Sequence, residues 1–395
     1  VLESFTRILA EQQGRKAMAA CSGVRKVLIV GGGFSGMTAA IEFQRAGFQV
    51  DLVEIDPNWR SYGAGISLHG ATMRVMKRIG IFERYLQVGA ATQGVEMRSP
   101  IDDSILVSMP TPGVGDGLPG GGGVMRPVLA ELMRDAVRAT DTNVRLGHTF
   151  SAIEDGPDGV RVAFTTGQSA TYDLVVGADG LYSAVRKAVF PEAPPPRYIG
   201  QAVWRAVVPR PQGVDRPVMW ISGKLKAGLN LVSKDEAYLF LMENRPNNDF
   251  VDPSTFVDAL SDLLMQFPSP ILSSVRTRLG LDSRIIFRPL EQFLLPRPWY
   301  RGRVVLIGDA VHATTPHLAA GACIGVEDAV VLAESVAQSD ELTEALDLFQ
   351  DRRWDRCRMV VENSGRLGEI EVSGGDQGEH TRIMQVSMKA LAEAI

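Results

Sequence analysis

Val27-Leu28-Ile29-Val30-Gly31-Gly32-Gly33-Phe34-Ser35-Gly36 decides how this chain of 395 residues folds. The four leading residues form a continuous apolar run, the pattern of a parallel strand covered on both faces. A helix is expected next, over Met37-Thr38-Ala39-Ala40-Ile41-Glu42-Phe43, with Gly47 as its stop. A second strand, Phe48 to Val53, ends at Glu54, 18 residues past Gly36. In such a strand–helix–strand unit Gly31 permits the tight turn and Gly33 lets a pyrophosphate approach the backbone. Gly36 lets the helix pack closely on the strand. Glu54 then stands where ribose hydroxyls can donate to it. A Gly-rich surface turn would account for the glycines but not for the apolar strand that feeds them, so the unit is expected to bind a dinucleotide.

Two further strand ends carry acidic residues. Residues 303–328 begin with an apolar strand, Val304 to Ile307, that stops at Gly308-Asp309, and a loop of small residues then opens a long apolar helix. This places a carboxylate and a helix N-terminus at the carboxyl edge of a sheet, where ligands bind in open α/β folds. In Tyr172-Asp173-Leu174-Val175-Val176-Gly177-Ala178-Asp179-Gly180 another strand delivers Asp179 to a sheet edge, ahead of a short basic helix containing Arg186. Either segment alone reads equally well as an ordinary strand–turn–helix.

Together, in this order and spacing, the three motifs resemble those of single-component flavin-dependent aromatic hydroxylases of the p-hydroxybenzoate hydroxylase type, over about residues 24–366. Gly63-Ala64-Gly65-Ile66-Ser67-Leu68 is similar to the family's loop beside the flavin. Met125-Arg126-Pro127-Val128-Leu129 is similar to its Arg-bearing helix start, and Arg352-Arg353 also fits. The resemblance implies an α/β fold: a Rossmann-like FAD-binding domain, an inserted antiparallel β-sheet substrate domain and a C-terminal helical part. It implies FAD as cofactor and NADH or NADPH as co-substrate. O₂ would add to the reduced flavin as a hydroperoxide, whose distal oxygen passes to an electron-rich ring.

The same resemblance assigns residues. Gly31, Gly33, Phe34, Ser35 and Gly36 would meet the FAD pyrophosphate, Glu54 and Ile55 the adenosine, and Arg126 the diphosphate, where a fixed positive charge is useful. Gly308 and Asp309 would hold the ribityl chain, and Ser67 lies in the flavin loop. Asp179 and Arg186 belong to a motif serving both FAD and the nicotinamide nucleotide. Gly321, Ala322 and Cys323 would present N–H groups to the flavin's pyrimidine edge, where a helix N-terminus stabilises negative charge. The chain departs from the family's Pro-x-x-Gly-x-Gly loop in Pro316-His317-Leu318-Ala319-Ala320-Gly321-Ala322-Cys323, with Ala for one glycine and Cys323 for another. That version is similar to the loop of hydroxylases acting on N-heteroaromatic acids such as 6-hydroxynicotinate. Ala71 stands where relatives often carry Asn, and Ser67 where the hydroxynicotinate enzymes carry His.

Composition agrees with an enzyme. Net charge is −5 with no Lys/Arg run, which argues against nucleic-acid binding, and 45% hydrophobic content supports a sizeable core. No stretch reaches the ~18 apolar residues of a membrane span. Three cysteines, Cys21, Cys323 and Cys357, form no C-x-x-C pair, so a reducing cytoplasm is expected. Five scattered histidines suggest no metal site, and a small aromatic substrate with O₂ is the expected partner set. Residues 1–23 read as an N-terminal extension, with Met18 a believable native start. The FAD-binding domain is expected at 24–197 and 284–366, the substrate sheet at 198–283, and a helical tail at 367–395. Gly113 to Gly123 is expected to be a loop, since so many glycines should not form a regular element.

Substrate handling is read from position. His317, after Pro316 in the flavin loop, could deprotonate a ring hydroxyl or merely bond backbone; His312 reads as structural. Tyr238 and Arg205 lie on strands of the expected roof over the flavin, each with an even chance of facing it. Trp204, Trp220, Phe240 and Met242 read as core, and His69 could reach the site. A tetracycline-type or alkene-epoxidising monooxygenase is the alternative. A flavin halogenase would show a Trp-x-Trp-x-Ile-Pro stretch, and no two tryptophans here are so spaced. A non-catalytic binding relative would be expected to lose Arg126, Asp179 and Asp309, all of which are present.

Overall fold

The structure, a computed structural model, describes residues 23–111, 113–280 and 283–395. The expected extension at 1–23 and Cys21 therefore lie, apart from Gly23, outside the described residues. A six-stranded sheet forms the base, in the order β18 (Tyr300–Arg301), β19 (Val304–Leu306), β12 (Leu174–Gly177), β1 (Lys26–Val30), β2 (Gln49–Glu54) and β8 (Asn143–Leu146). All its pairs are parallel except β18 on β19. Val27, Leu28 and Ile29 of the central strand are fully buried, and each such side chain contributes roughly 1.5–3 kcal/mol. Helix α1 (Phe34–Arg45) follows β1 directly. A Cβ on Gly36 would lie 1.9 Å from the Gly31 carbonyl oxygen, so only glycine lets this helix sit so close to the turn.

A three-stranded antiparallel sheet, β9 (Phe150–Gly156), β10 (Gly159–Phe164) and β11 (Ser169–Tyr172), leads into β12. Around the base run α2 (Gly70–Arg78), α3 (Phe82–Val88), α4 (Arg126–Arg138) and α5 (Ala184–Val189). The last third adds α8 (Asp309–His312), α9 (Gly321–Gln338), α10 (Leu342–Ser373) and α11 (Gln377–Ala392). The domain boundary expected at 366 falls inside α10. Nothing breaks that helix before Gly374, which caps it at φ 69°.

The second large sheet has seven strands: β17 (Ile286–Gln292), β13 (Arg197–Pro209), β16 (Glu236–Asn244), β15 (Leu225–Leu231), β14 (Val218–Ser222), β5 (Gly94–Arg98) and β6 (Ile105–Pro110). It is not wholly antiparallel as expected, because β14 and β5 pair in parallel. Nor is it confined to 198–283, since 94–110 supply two strands and 286–292 a third. Helices α6 (Phe256–Leu264) and α7 (Pro270–Arg276) cover one face and enclose Trp204, Trp220, Leu260 and Phe267 in a second core.

The glycine-rich run is only partly a loop. Gly121–Met125 forms β7, between β3 (Gly65–His69) and β4 (Ala90–Thr92). The reason is crowding: a Cβ on Gly122 would lie 2.1 Å from the Tyr85 hydroxyl oxygen, and one on Gly123 2.2 Å from the Leu231 carbonyl oxygen. Glycines here allow close sheet-to-chain contact.

Candidate functional site

One continuous cavity of about 1580 Å³ runs between the base sheet and the uncovered face of the seven-stranded sheet. Ligand pockets usually measure roughly 300–1,000 Å³, so this one has room for a dinucleotide and a second molecule. Its first stretch is lined by Gly31, Gly33, Phe34, Ser35, Glu54 and Ile55. No side chain caps the N-terminus of α1, which leaves its first N–H groups free for an anion. The Ser35 side chain packs against Gly308 and Gly325. It is wedged so tightly that a Cβ on Gly308 or on Gly325 would lie 2.5 Å from it. Glu54 accepts from the Gly32 N–H at 2.7 Å and the Asp56 N–H at 2.8 Å, which fixes its carboxylate at the rim.

Further along, Arg126 and Asp309 face the cavity with no hydrogen-bond or ion-pair partner among the described residues, although the Arg126 guanidinium stacks 5.2 Å from the Phe34 ring centre. Burial pulls the Arg126 pKa below its usual value, and Asp309 offsets part of that. Burial likewise raises the Asp309 carboxyl above the usual range, against the pull of His312 and Arg126. Arg126 is half-buried and Asp309 is exposed to the cavity, so a cation and a carboxylate without partners both stand open to a ligand. A diphosphate for Arg126 and hydroxyl donors for Asp309 fit two adjoining parts of an FAD, its diphosphate and its ribityl chain. The N-terminus of α9 is also uncapped, and Gly321 and Ala322 line the cavity there.

Several expected contacts are displaced. Gly36 and Gly308 do not line the cavity: Gly36 packs on Gly31, and Gly308 sits beneath, its N–H donating to Asp328 at 2.9 Å. The Cys323 thiol points into the core, 3.9 Å from Glu327, and burial pushes its pKa up to about 12; only its N–H remains relevant. Asp179 lines the cavity, but its carboxylate accepts from the Ala184 and Val185 N–H groups at 2.7 and 3.0 Å, capping α5. Arg186 is buried, donating to the Ala310 and Leu181 carbonyls, with Phe293 against its guanidinium. It ties the Asp179 turn to the Asp309 turn and is not free for a nicotinamide nucleotide.

Behind the flavin loop lies a dry charged network. His312 sits 2.5 Å from Asp328, which also accepts from Arg353 at 2.8 Å, while Glu327 accepts from Arg353 and Arg356 at 2.9 and 2.7 Å. Burial opposes charge on both His312 and Asp328, but each overcomes it for the other. His312 is raised well above the usual value and Asp328 lowered to about 2. His312 is thus structural, as expected. His312, Asp328 and Cys357 come close enough together to suggest a metal, but Arg353 already satisfies the Asp328 charge.

On the roof, strand alternation resolves in favour of the site. Val203, Arg205, Tyr238, Phe240 and Met242 all line the cavity, with Arg205 opposite Phe240 in the ladder. Phe240 and Met242, expected in the core, therefore face the ligand space; Trp204 and Trp220 do not. Ser67, Pro316 and His69 also line it, and the His69 Nε2 is held 2.7 Å from the Leu318 carbonyl. His317 is nearly fully buried, its Nδ1 2.8 Å from the Thr315 hydroxyl and its Nε2 3.3 Å from Glu371. Ala319 adopts φ 51°, in the left-handed region that glycine enters freely.

Sequence reasoning missed Glu371, His380, Lys226, Arg284 and Arg288, all lining the cavity. Glu371 and His380 carry no local motif, and only the fold brings them back to the loop. Glu327 and Asp328 stood in the quoted 303–328 segment without a role.

A profile of the FAD binding domain family matches residues 25–364. The aurachin C monooxygenase/isomerase of Stigmatella aurantiaca is 34% identical over 359 residues, covering 87% of this chain and 89% of its own. The 2-heptyl-3-hydroxy-4(1H)-quinolone synthase of Pseudomonas aeruginosa is 33% identical over 356 residues, covering 87% and 90%. Among solved structures, Klebsiella pneumoniae HpxO complexed with FAD and uric acid is similar with a TM-score of 0.79 at 25% identity, over 94% of this chain and 93% of that one. No described helix is long and apolar enough to cross a membrane. The free charges along the cavity suit FAD and the profile spans the fold that bears them: this chain belongs to the FAD-dependent monooxygenases of the aromatic-hydroxylase type.

Proposed function

We propose that the chain uses NADH or NADPH and O₂ to hydroxylate a small aromatic or N-heteroaromatic ring that carries a hydroxyl or oxo group. The observation that carries this reading is the shared cavity, in which Arg126 and Asp309 line one space with Arg205, Tyr238 and Phe240 of the roof. FAD, when bound, supplies the hydride acceptor and the oxygen activation. The protein's part is to hold the diphosphate and ribityl chain of that cofactor, to present N–H groups of α9 to developing negative charge, and to place the ring beneath β13 and β16. Arg205 and Tyr238 offer a cation and a phenol to a substrate oxygen, while Phe240 and Met242 supply apolar contact. The roofed cavity limits access of water to the reacting centre.

Beyond these residues the cavity wall turns apolar, with Met97, Met219 and Ile221 on the sheet and Met384 and Met388 on α11. Flexible thioethers suit a ring bearing an apolar substituent, and the quinolone named for one relative is of that kind. A screen of hydroxybenzoates, hydroxypyridine acids and alkyl quinolones for stimulated NAD(P)H oxidation tests the reading. One labelled oxygen atom from O₂ should enter the product. Product formed with no labelled oxygen, or a halogenated product, would overturn it.

A further inference from the structure

Asn230 has no structural reason to be where it is. It lies on β15, a strand inside the seven-stranded sheet, between Leu229 and Leu231, which are buried in the second core, and its own side chain lines the cavity. Asparagine suits strands poorly, because its amide competes for backbone hydrogen bonds and packs badly on a pleated surface. Here it is half-buried, and its amide has no hydrogen-bond partner among the described residues. A polar group so placed calls for a ligand atom.

The register of the sheet fixes what surrounds it. One rung of the roof carries Arg205 of β13, Phe240 of β16 and Gly228 of β15 in a row. A Cβ on Gly228 would lie 2.3 Å from the Phe240 Cε1, so the phenyl ring lies across the β15 backbone and only glycine allows it. Asn230 is two residues beyond Gly228 on the same face and pairs with Tyr238. Phe240 thus forms an apolar platform with Arg205 on its β13 side and Asn230 on its β15 side. Two strands across and two residues along, those side chains start from Cα atoms about 12 Å apart. Past Gly228 the same rung continues into Met219 and Met97, both lining the cavity.

The two sides of the platform differ in kind. Arg205 can only donate, so a substrate oxygen belongs on its side. Lys226, which also faces the cavity from β15, is occupied by Glu371 at 2.7 Å. Among the described residues of β13, β15 and β16 that line the cavity, Asn230 alone has a side-chain carbonyl.

We propose that Asn230 determines substrate specificity: its side-chain oxygen accepts a hydrogen bond from a ring N–H. The enzyme is thereby committed to N-heteroaromatic rings whose oxo or hydroxyl group lies across the ring from the nitrogen. This deepens the aromatic-hydroxylase reading above and rests on it. The ring lies on Phe240 with its oxygen toward Arg205 and its N–H toward Asn230, and apolar substituents run along Met219 and Met97. A hydroxybenzoate has no ring donor and would leave the Asn230 oxygen unpaired. Asn230 makes and breaks no covalent bond; it fixes which way round the ring lies.

The test is ligand binding to FAD-loaded enzyme, followed by the change in flavin absorbance. The probe is 4(1H)-quinolone; its 1-methyl derivative lacks the N–H, and 4-hydroxybenzoate lacks the nitrogen. Wild type should bind the quinolone about tenfold more tightly than the 1-methyl derivative, the scale of one hydrogen bond. Asn230→Leu, which keeps the volume, should erase that preference, and Asn230→Asp, which keeps an acceptor, should preserve it. Equal binding of quinolone and 1-methyl derivative by wild type would overturn the assignment. So would tighter binding of 4-hydroxybenzoate than of the quinolone, or a preference that survives Asn230→Leu. The wild-type comparisons need no variant, so a poorly folded Asn230→Leu does not shield the proposal. Failure of the functional reading looks different: no ring would acquire labelled oxygen, even where the order of binding holds.

Discussion

Asp309 and Asp328 stand on opposite sides of one loop and show what its two sides are for. Asp309 is surrounded by protein yet open to the cavity with no partner, and burial raises its pKa. Asp328 is fully buried and is gripped by His312, Arg353 and the Gly308 N–H, and its pKa falls to about 2. The back of the loop is complete without a ligand; the front is complete only with one. Stability should therefore reside behind the loop and cofactor affinity in front of it.

The largest effect expected is on the back side. Asp328→Ala removes the carboxylate that His312 and Arg353 share and leaves Arg353 with Glu327 alone, and breaking such a buried pair typically costs ~3–5 kcal/mol. Chemical unfolding of the apo-protein should show it, and a loss confined to FAD affinity would contradict the division. The front side should respond the other way. Asp309→Ala or Arg126→Met removes a charged partner worth roughly 1.5–3 kcal/mol, about ten- to a hundredfold in FAD affinity. Flavin fluorescence titration measures this, and apo-protein stability should hardly fall.

The pH dependence sharpens the contrast. Asp328 has a depressed folded pKa, so its contribution is present above its unfolded value of about 4 and fades as pH falls towards 2. His312 has a raised folded pKa, so its contribution is full below its unfolded value of about 6.5 and is lost as pH rises through the folded one. The pair therefore contributes most between about pH 4 and 6.5. His312→Gln should flatten the alkaline loss of stability; an unaltered alkaline slope would refute the pairing. The smallest effect concerns Ala319, whose φ of 51° costs an alanine about 1–2 kcal/mol. Ala319→Gly should stabilise the loop by up to that amount, seen as a raised Tm.

The base sheet was legible because its signals are local. Val27 to Val30, Gly31 to Gly36 and Glu54 lie in one short segment, and the apolar run, the glycines and the acidic end each have a separate physical cause. Asp309 and Arg126 were singled out through resemblance, and both line the cavity with no partner among the described residues. The roof was legible in part. Its central strands alternate, but Gly94–Arg98 and Ile105–Pro110 join it from a distant stretch, and no local pattern announces a partner more than a hundred residues away. The strand at Gly121–Met125 was hidden because its glycines answer to crowding by Tyr85 and Leu231, a tertiary cause. Glu371 and His380 escaped for the same reason: their chemistry arises from meeting His317 and Lys226.

The order of strands in the base sheet also has a consequence for biosynthesis. β1 emerges early, but its neighbour β12 is made about 150 residues later and β19 later still, while Asp309 and the α9 terminus follow both. Contacts of such long separation form slowly and late. A nascent chain on the ribosome can fix its glycine turn on Val53 and Glu54 early but lacks Asp309 and the α9 terminus until some 340 residues have appeared, and cofactor capture must be nearly the last act of maturation. Cells short of riboflavin would then accumulate a species with a finished back and an open front.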